Sequence, residues 1–199
     1  MELCVSFLPQ SLLESAEIFR VLRCAAFLLD QSKEYVIALA LSVVEFWLEL
    51  FLFGQQKRAM CGIAGGAVLL LFACIMWLGQ ITRSVGMATA GFAFTHQIQD
   101  RQRQGHELVT HGIYSILRHP GYTGWFYASI ATQCVLCNPV CAVLYCWAAW
   151  RFFARRIPHE EYKLYTMFGQ KYLQYRYESF VLIPFIPSPL DVLGRGKTD

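Results

Sequence analysis

The chain has 199 residues, of which 56% are hydrophobic and only 16% charged. Soluble domains average about 45–50% apolar and about 25% charged, so disorder, collagen-like repeats and most soluble enzymes are excluded. Seventeen Lys and Arg against 14 Asp and Glu give a formal charge of +3; no basic stripe is interleaved with aromatics, which sets nucleic acid aside.

In chain order, Ser11 to Leu29 is apolar but carries four charges. It reads as a first span, or as an amphipathic helix on the membrane surface; the span is favoured. The N-terminus lacks a basic region followed by an unbroken apolar run, and neither end carries a lipidation motif. Tyr35–Gly54 and Gly62–Gln80 are long enough to cross a bilayer, which needs about 20 apolar residues. Gln55 to Arg58 reads as a tight link between them. Glu45 and Glu49 share a helix face. They serve as internal hydrogen-bond partners or sit near the interface, because acids at mid-membrane are costly.

From Arg83 to Pro120 the chain turns polar and holds four of the five histidines. Tyr122 to Ala154 is apolar again, with Asn138-Pro139 in the middle. Proline breaks a helix and biases the residue before it away from helix, which predicts a broken helical hairpin. In Arg155–Asp199, Tyr165, Phe168, Tyr172 and Tyr175 follow the spacing of an amphipathic helix. Four Lys/Arg lie in 81–120 and eight in 151–199. Because basic segments favour the cytoplasm, both flanks of the hairpin are placed there. The predicted fold is an all-α integral membrane protein of about five transmembrane helices. Residues 1–82 form N-terminal spans, and 83–199 form a second region whose candidate chemistry lies on the cytosolic face.

The eight cysteines lie mostly in apolar runs. Cys134-x-x-Cys137 lacks the further ligands of a closed zinc site, so they read as small apolar residues and no metal is expected. Arg118 to Gly124 (RHPGYTG) is the densest polar cluster. Pro120 suits the first position of a helix, whose free N–H groups and dipole favour an anion; alternatively Arg118 and His119 anchor that helix at the headgroups. Arg151 to Glu161 is a second cluster. It follows the second hairpin helix and leads into the amphipathic one, and it reads as a basic helix end or as a surface pair between Arg156 and Glu160. No Walker loop, dinucleotide fingerprint or ordered Ser–His–Asp set is present.

Five blocks in order carry a resemblance: ATAGFAFTH (88–96), HELVTHGIYSILRHPGYTG (106–124), TQCVLCNP (132–139), WRFFARRIPHEE (150–161) and FGQKYLQY (168–175). Together they resemble the isoprenylcysteine carboxyl methyltransferase family. The resemblance implies an enzyme of the endoplasmic reticulum membrane that uses S-adenosylmethionine to methylate the C-terminal carboxylate of prenylated cysteine. Its partners would be CaaX-processed prenylated proteins and the lipid bilayer. Carried over by position, the cofactor residues are Gln99, His106, Glu107, Leu108, Val109, Tyr114, His119, Pro120, Gly121, Tyr122 and Glu160. Arg156 matches the substrate-contacting and catalytic arginine. Gly121 stands where serine is common, and His159 stands in a stretch often more acidic. The alternative is a membrane phospholipid methyltransferase acting on an amine headgroup, but an amine would want an acid or aromatic cage rather than Arg156.

Overall fold

A computed structural model describes residues 33–60, 63–91 and 108–186. Five α-helices occur among them: α1 (Lys33–Met60), α2 (Ile63–Ala90), α3 (Pro120–Val135), α4 (Pro139–Phe168) and α5 (Gln170–Glu178). A 3-10 turn, Gly112–Ser115, precedes α3. The all-α expectation is met, and among the described residues the one non-helical pairing is an isolated parallel bridge, Leu117 to Phe180. The segment expected as a first span, 11–29, lies outside the described residues.

The chain divides into two compact units between Val43 and Val44, within α1. In the first, the described residues are the opening turns of α1. All other elements belong to the second. Tyr35–Ala59 and Gly65–Ala90 are long and apolar enough to cross a membrane. Their apolar side chains face outward, Phe51 at 87% exposure and Leu70 at 68%, as expected of helices solvated by lipid rather than water.

In α1 and α2, two boundaries differ from the sequence expectation. Gln55–Arg58 is not a link: α1 continues to Met60, with its one non-helical backbone at Phe53 (φ −129°, ψ 30°). Gln, Lys and Arg are good helix formers, and Lys57 is held by Glu49 at 2.8 Å and Asn138 at 3.2 Å. Likewise Arg83 does not open the polar stretch. It is buried within α2 and donates to the Gly121 carbonyl at 3.3 Å.

Helix α3 packs on α2 through glycines. A Cβ on Gly79 would stand 2.6 Å from the Gly124 carbonyl oxygen, and one on Gly86 would stand 2.8 Å from Pro120 Cγ. Small residues are what let two backbones approach this closely inside a bilayer. The hairpin breaks where Pro139 predicts. Asn138 is buried, its N–H bonds the Gln133 carbonyl at 2.9 Å, and α4 begins at Pro139. Glu45 accepts from the N–H groups of Val140 and Cys141 at 2.8 and 2.7 Å. This explains one of the two α1 acids: a carboxylate satisfies the free end of α4 and complements its dipole. A cavity of about 310 Å³ opens at this apex, between Phe53, Lys57, Gln133 and Ala142.

The second hairpin helix does not end near Ala154. It runs through Pro158 to Phe168, 30 residues in all. Proline forfeits one backbone bond and crowds the carbonyl four residues earlier. The buried stripe Ala149, Phe153, Ile157 and Glu161 holds the helix together across that defect. Phe126, Phe153, Ile157 and Ile183 form the core between α3 and α4. Gly169, at φ +56°, turns the chain into α5. The aromatic stripe is thus shared by two helices: Tyr172 and Tyr175 form a second core with Leu108, Tyr165 and Phe168.

Candidate active site

The start of α3 is built by His119 and Pro120. The His119 carbonyl accepts from Thr123 N at 2.9 Å and Tyr122 N at 3.1 Å, while its side chain makes no capping bond. The imidazole is therefore available for other contacts. It stacks on the Tyr122 ring with centroids 5.5 Å apart and planes at 11°.

Helix α4 supplies the facing groups. Tyr122 Oη accepts from Arg156 Nε at 2.8 Å and donates to Glu160 Oε2 at 2.6 Å. One phenol thus stands between a cation and an anion that are one helical turn apart. The surface-pair alternative for Arg156 and Glu160 gives way to a linkage through Tyr122. The Arg156 guanidinium also lies over the rings of Tyr122 and Phe152, at 5.6 and 5.7 Å.

Beneath this layer is a carboxylate that sequence reasoning left without a role. Glu161 is 1% exposed; it accepts a hydrogen bond from Arg118 Nε at 3.0 Å and forms an ion pair with Arg176, whose Nε stands 3.4 Å away. Arg118 Nη1 further donates to the carbonyls of Arg176, at 2.6 Å, and Ser179. His119 Nε2 stands 3.7 Å from Glu161, and Nδ1 stands 4.0 Å from Glu160. Neither distance is a hydrogen bond, and Nε2 is buried with no hydrogen-bond partner. The hydroxyls of Thr123 and Tyr172 are buried and unbonded as well. Buried polar atoms normally find partners, so three unsatisfied ones mark places where a small polar molecule gains bonds.

The segment before α3 is tied to α5. Tyr175 Oη donates to the Tyr114 carbonyl at 2.8 Å, and Leu108 packs on the Tyr172–Tyr175 core. Burial pushes the Tyr114 phenol up to about 12, with nearby Tyr175 and the Glu160 charge adding to the rise.

Of the expected site residues, His119, Tyr122, Arg156 and Glu160 meet directly. Tyr114 lies within electrostatic reach of Glu160. Pro120 and Gly121 are buried where α3 meets α2, and Leu108 and Val109 are half-buried. Gln99, His106 and Glu107 lie outside the described residues. The sequence reading placed Arg118 and Glu161 in its two polar clusters but not as partners of each other, and it missed Arg176. A signal for Glu161 was present: it continues the four-residue spacing of Ala149, Phe153 and Ile157, so an acid falls on a stripe otherwise reserved for the core.

The family model described as the isoprenylcysteine carboxyl methyltransferase (ICMT) family matches residues 69–166. That span contains every expected site residue. Protein-S-isoprenylcysteine O-methyltransferase A of Arabidopsis thaliana is 40% identical over 155 residues, 78% of this chain and 76% of its own length. The chain belongs to the isoprenylcysteine carboxyl methyltransferase family. A methyltransferase of that name from Xenopus laevis is 42% identical over 167 residues, 84% of this chain. The chain spans 56% of that relative's length. A solved structure of the eukaryotic intramembrane Ras methyltransferase of this family superposes with a TM-score of 0.73 at 40% identity, covering 81% of this chain and 56% of that one. Membership accords with the helical, membrane-embedded architecture and with methyl transfer as the family's chemistry.

Proposed function

We propose that this chain methylates the free C-terminal carboxylate of prenylated cysteine, with S-adenosylmethionine as donor. The reading rests on one arrangement: the Tyr122 hydroxyl held between Arg156 and Glu160, beside the unsatisfied imidazole of His119. Cofactor residues are Gln99, His106, Glu107, Leu108, Val109, Tyr114, His119, Pro120, Gly121, Tyr122 and Glu160; Arg156 takes the acceptor.

The residues fit a zwitterionic sulfonium cofactor. His119 Nε2 and the Thr123 hydroxyl, both at the start of α3, suit its carboxylate. Glu160 suits its ammonium or ribose hydroxyls, and the apolar faces of Leu108 and Val109 suit adenine. When bound, S-adenosylmethionine supplies an electrophilic methyl group. Arg156 then grips the acceptor carboxylate through its guanidinium fork. Tyr122 fixes the guanidinium from below, so that one carboxylate oxygen is aimed. No side chain has to remove a proton, because an α-carboxyl with a reference pKa of about 3.3–3.7 is already ionised at pH 7. Catalysis is therefore positioning, which can supply about 7–11 kcal/mol.

Location serves both partners. A site on the cytosolic face of the endoplasmic reticulum membrane meets a water-soluble cofactor from one side. It meets a prenyl chain retained in lipid from the other, where each buried CH₂ contributes about 0.8 kcal/mol.

The test is incubation of the purified protein with labelled S-adenosylmethionine and either farnesylcysteine or a phospholipid. Base-labile methyl ester is expected on farnesylcysteine. Label in the phospholipid, or in neither, overturns the reading. Arg156→Ala should abolish turnover and leave cofactor affinity near normal, whereas His119→Ala and Glu160→Ala should weaken cofactor binding first.

A further inference from the structure

Consecutive positions on a helix point about 100° apart, so Arg155 and Arg156 serve different faces of α4. Arg156 turns inward to Tyr122. Arg155 is exposed, and one turn before it Arg151 is exposed too, with Trp147 a further turn back and His159 a turn beyond. The Arg151 guanidinium lies 5.6 Å from the centre of the Trp147 ring, and that tryptophan is 59% exposed. Neither Arg151 nor Arg155 forms an ion pair among the described residues. No acidic residue stands three or four positions from either one. The two acids of this region, Glu160 and Glu161, are committed to the inner face.

We propose that this outer stripe of α4 is a docking surface for the headgroup of an anionic phospholipid. An exposed tryptophan below and two unpaired guanidiniums above form the vertical order of a membrane interface. The indole lies among the upper acyl chains, and the cations stand at phosphate level. Each guanidinium presents a planar fork that matches phosphate oxygens. Arg151 is held in place by the ring beneath it, so less of its side-chain freedom is lost when the phosphate arrives. The absence of a neighbouring carboxylate leaves the charge of both groups for an external anion. A general preference for basic residues on one face explains their sign. It does not explain two unpaired arginines in register with an exposed tryptophan on one helix row. A lipid bound here contacts the helix that carries Arg156 and Glu160, on a different face from theirs.

The full chain, reconstituted into phosphatidylcholine vesicles, tests this by fluorescence quenching. The Trp147 signal is isolated as the difference between the parent protein and Trp147→Phe. Phosphatidylserine brominated on its acyl chains should quench that signal more strongly than brominated phosphatidylcholine at equal mole fraction. The combined Arg151→Gln and Arg155→Gln variant should weaken this preference by up to about thirtyfold, as expected for two basic groups near an anionic surface. The Arg151→Lys and Arg155→Lys variant should retain most of it, which separates charge from misfolding. Equal quenching by the two lipids, or a preference unchanged in the Gln variant, overturns the proposal. Millimolar inorganic phosphate that abolishes the preference also overturns it, by assigning the stripe to a soluble anion. Displacement by an acidic peptide would assign it to a protein partner instead. None of these readouts requires methyl transfer, so they stand apart from the test of the proposed activity.

Discussion

Replacing Gly124 by alanine adds one methyl group at the tightest point of the α2–α3 crossing. That carbon would overlap the Gly79 carbonyl oxygen and stand 2.8 Å from the Arg83 backbone nitrogen and 3.1 Å from Arg83 Cβ. Two of these three neighbours are backbone atoms, so no rotamer change relieves them. Ordinary contact begins at 3.4 Å, and the Arg83 nitrogen alone requires the helices to part by about 0.6 Å. A gap of about 0.5–1 Å forfeits roughly a quarter to a half of the dispersion well along the seam. Overpacking of this kind costs about 1–3 kcal/mol, and the contact with backbone places it at the upper end. Removing a mid-helix glycine returns about 1 kcal/mol of propensity. The net loss is about 2 kcal/mol, or roughly 4–8 °C in Tm for a chain of this size. Gly54→Ala is the matched control: its nearest neighbour would be the Arg58 side chain at 3.6 Å, so crowding is absent and Tm should hold or rise. Thermal unfolding in detergent, followed by circular dichroism, reads both. An unchanged Tm in Gly124→Ala would refute the close approach. Because Gly124 lies two residues after Tyr122, methyl transfer should fall in the folded protein as well.

Tyr122→Phe removes the hydroxyl that serves Arg156 and Glu160. Bonds to charged groups are worth about 1.5–3 kcal/mol, so loss of one in the working geometry lowers kcat/KM about ten- to a hundredfold; steady-state kinetics with intact Tm checks this. Glu161→Gln leaves Arg118 and Arg176 around a neutral amide. Breaking a buried pair from one side costs about 3–5 kcal/mol, and a melting curve like the parent's would count against Glu161 as the anchor of that cluster. For alkaline pH, burial pushes the phenols of Tyr114 and Tyr175 up to about 12 from the ordinary 10. The folded state therefore holds their protons where the unfolded chain has released them. Stability should be independent of these groups below pH 10 and decline as pH rises from 10 through 12. Absorbance of tyrosinate beside thermal melts follows it, and stability that rises across that window would contradict the sign.

The broken hairpin was legible because Pro139 acts locally: it removes a donor and restricts Asn138 whatever surrounds it. The gathering of His119, Tyr122, Arg156 and Glu160 was legible through a resemblance of ordered blocks, not through spacing, since Tyr122 and Arg156 lie 34 positions apart, beyond any direct sequence relation of helix or strand. What stayed hidden has a common cause. The second hairpin helix reads as ending near Ala154 because the apolar run ends there, but the buried stripe from Ala149 to Glu161 carries the helix on through Pro158, and tertiary packing cannot be read from a window of four residues. Gln55–Arg58 reads as a link by its polar composition alone, although each residue favours helix. Glu161 was passed over because its place on the four-residue stripe is decisive only once α4 is known to run through Pro158.

The uninterrupted length of α4 works as a ruler. Thirty residues at about 1.5 Å each make a rod of about 45 Å, against a hydrocarbon layer of about 30 Å. Arg156 comes seventeen steps after Pro139, about 26 Å along that rod, and Glu160 about 6 Å further. The rod thereby fixes how far the guanidinium and the carboxylate stand from the hairpin apex. The residue count between the apex and Arg156 sets both that distance and the face of the helix on which the guanidinium emerges. Inserting or deleting a single residue in this stretch would shift the gauge by about 1.5 Å and turn the arginine by about 100°, so this interval of the helix is far less tolerant of length change than of composition.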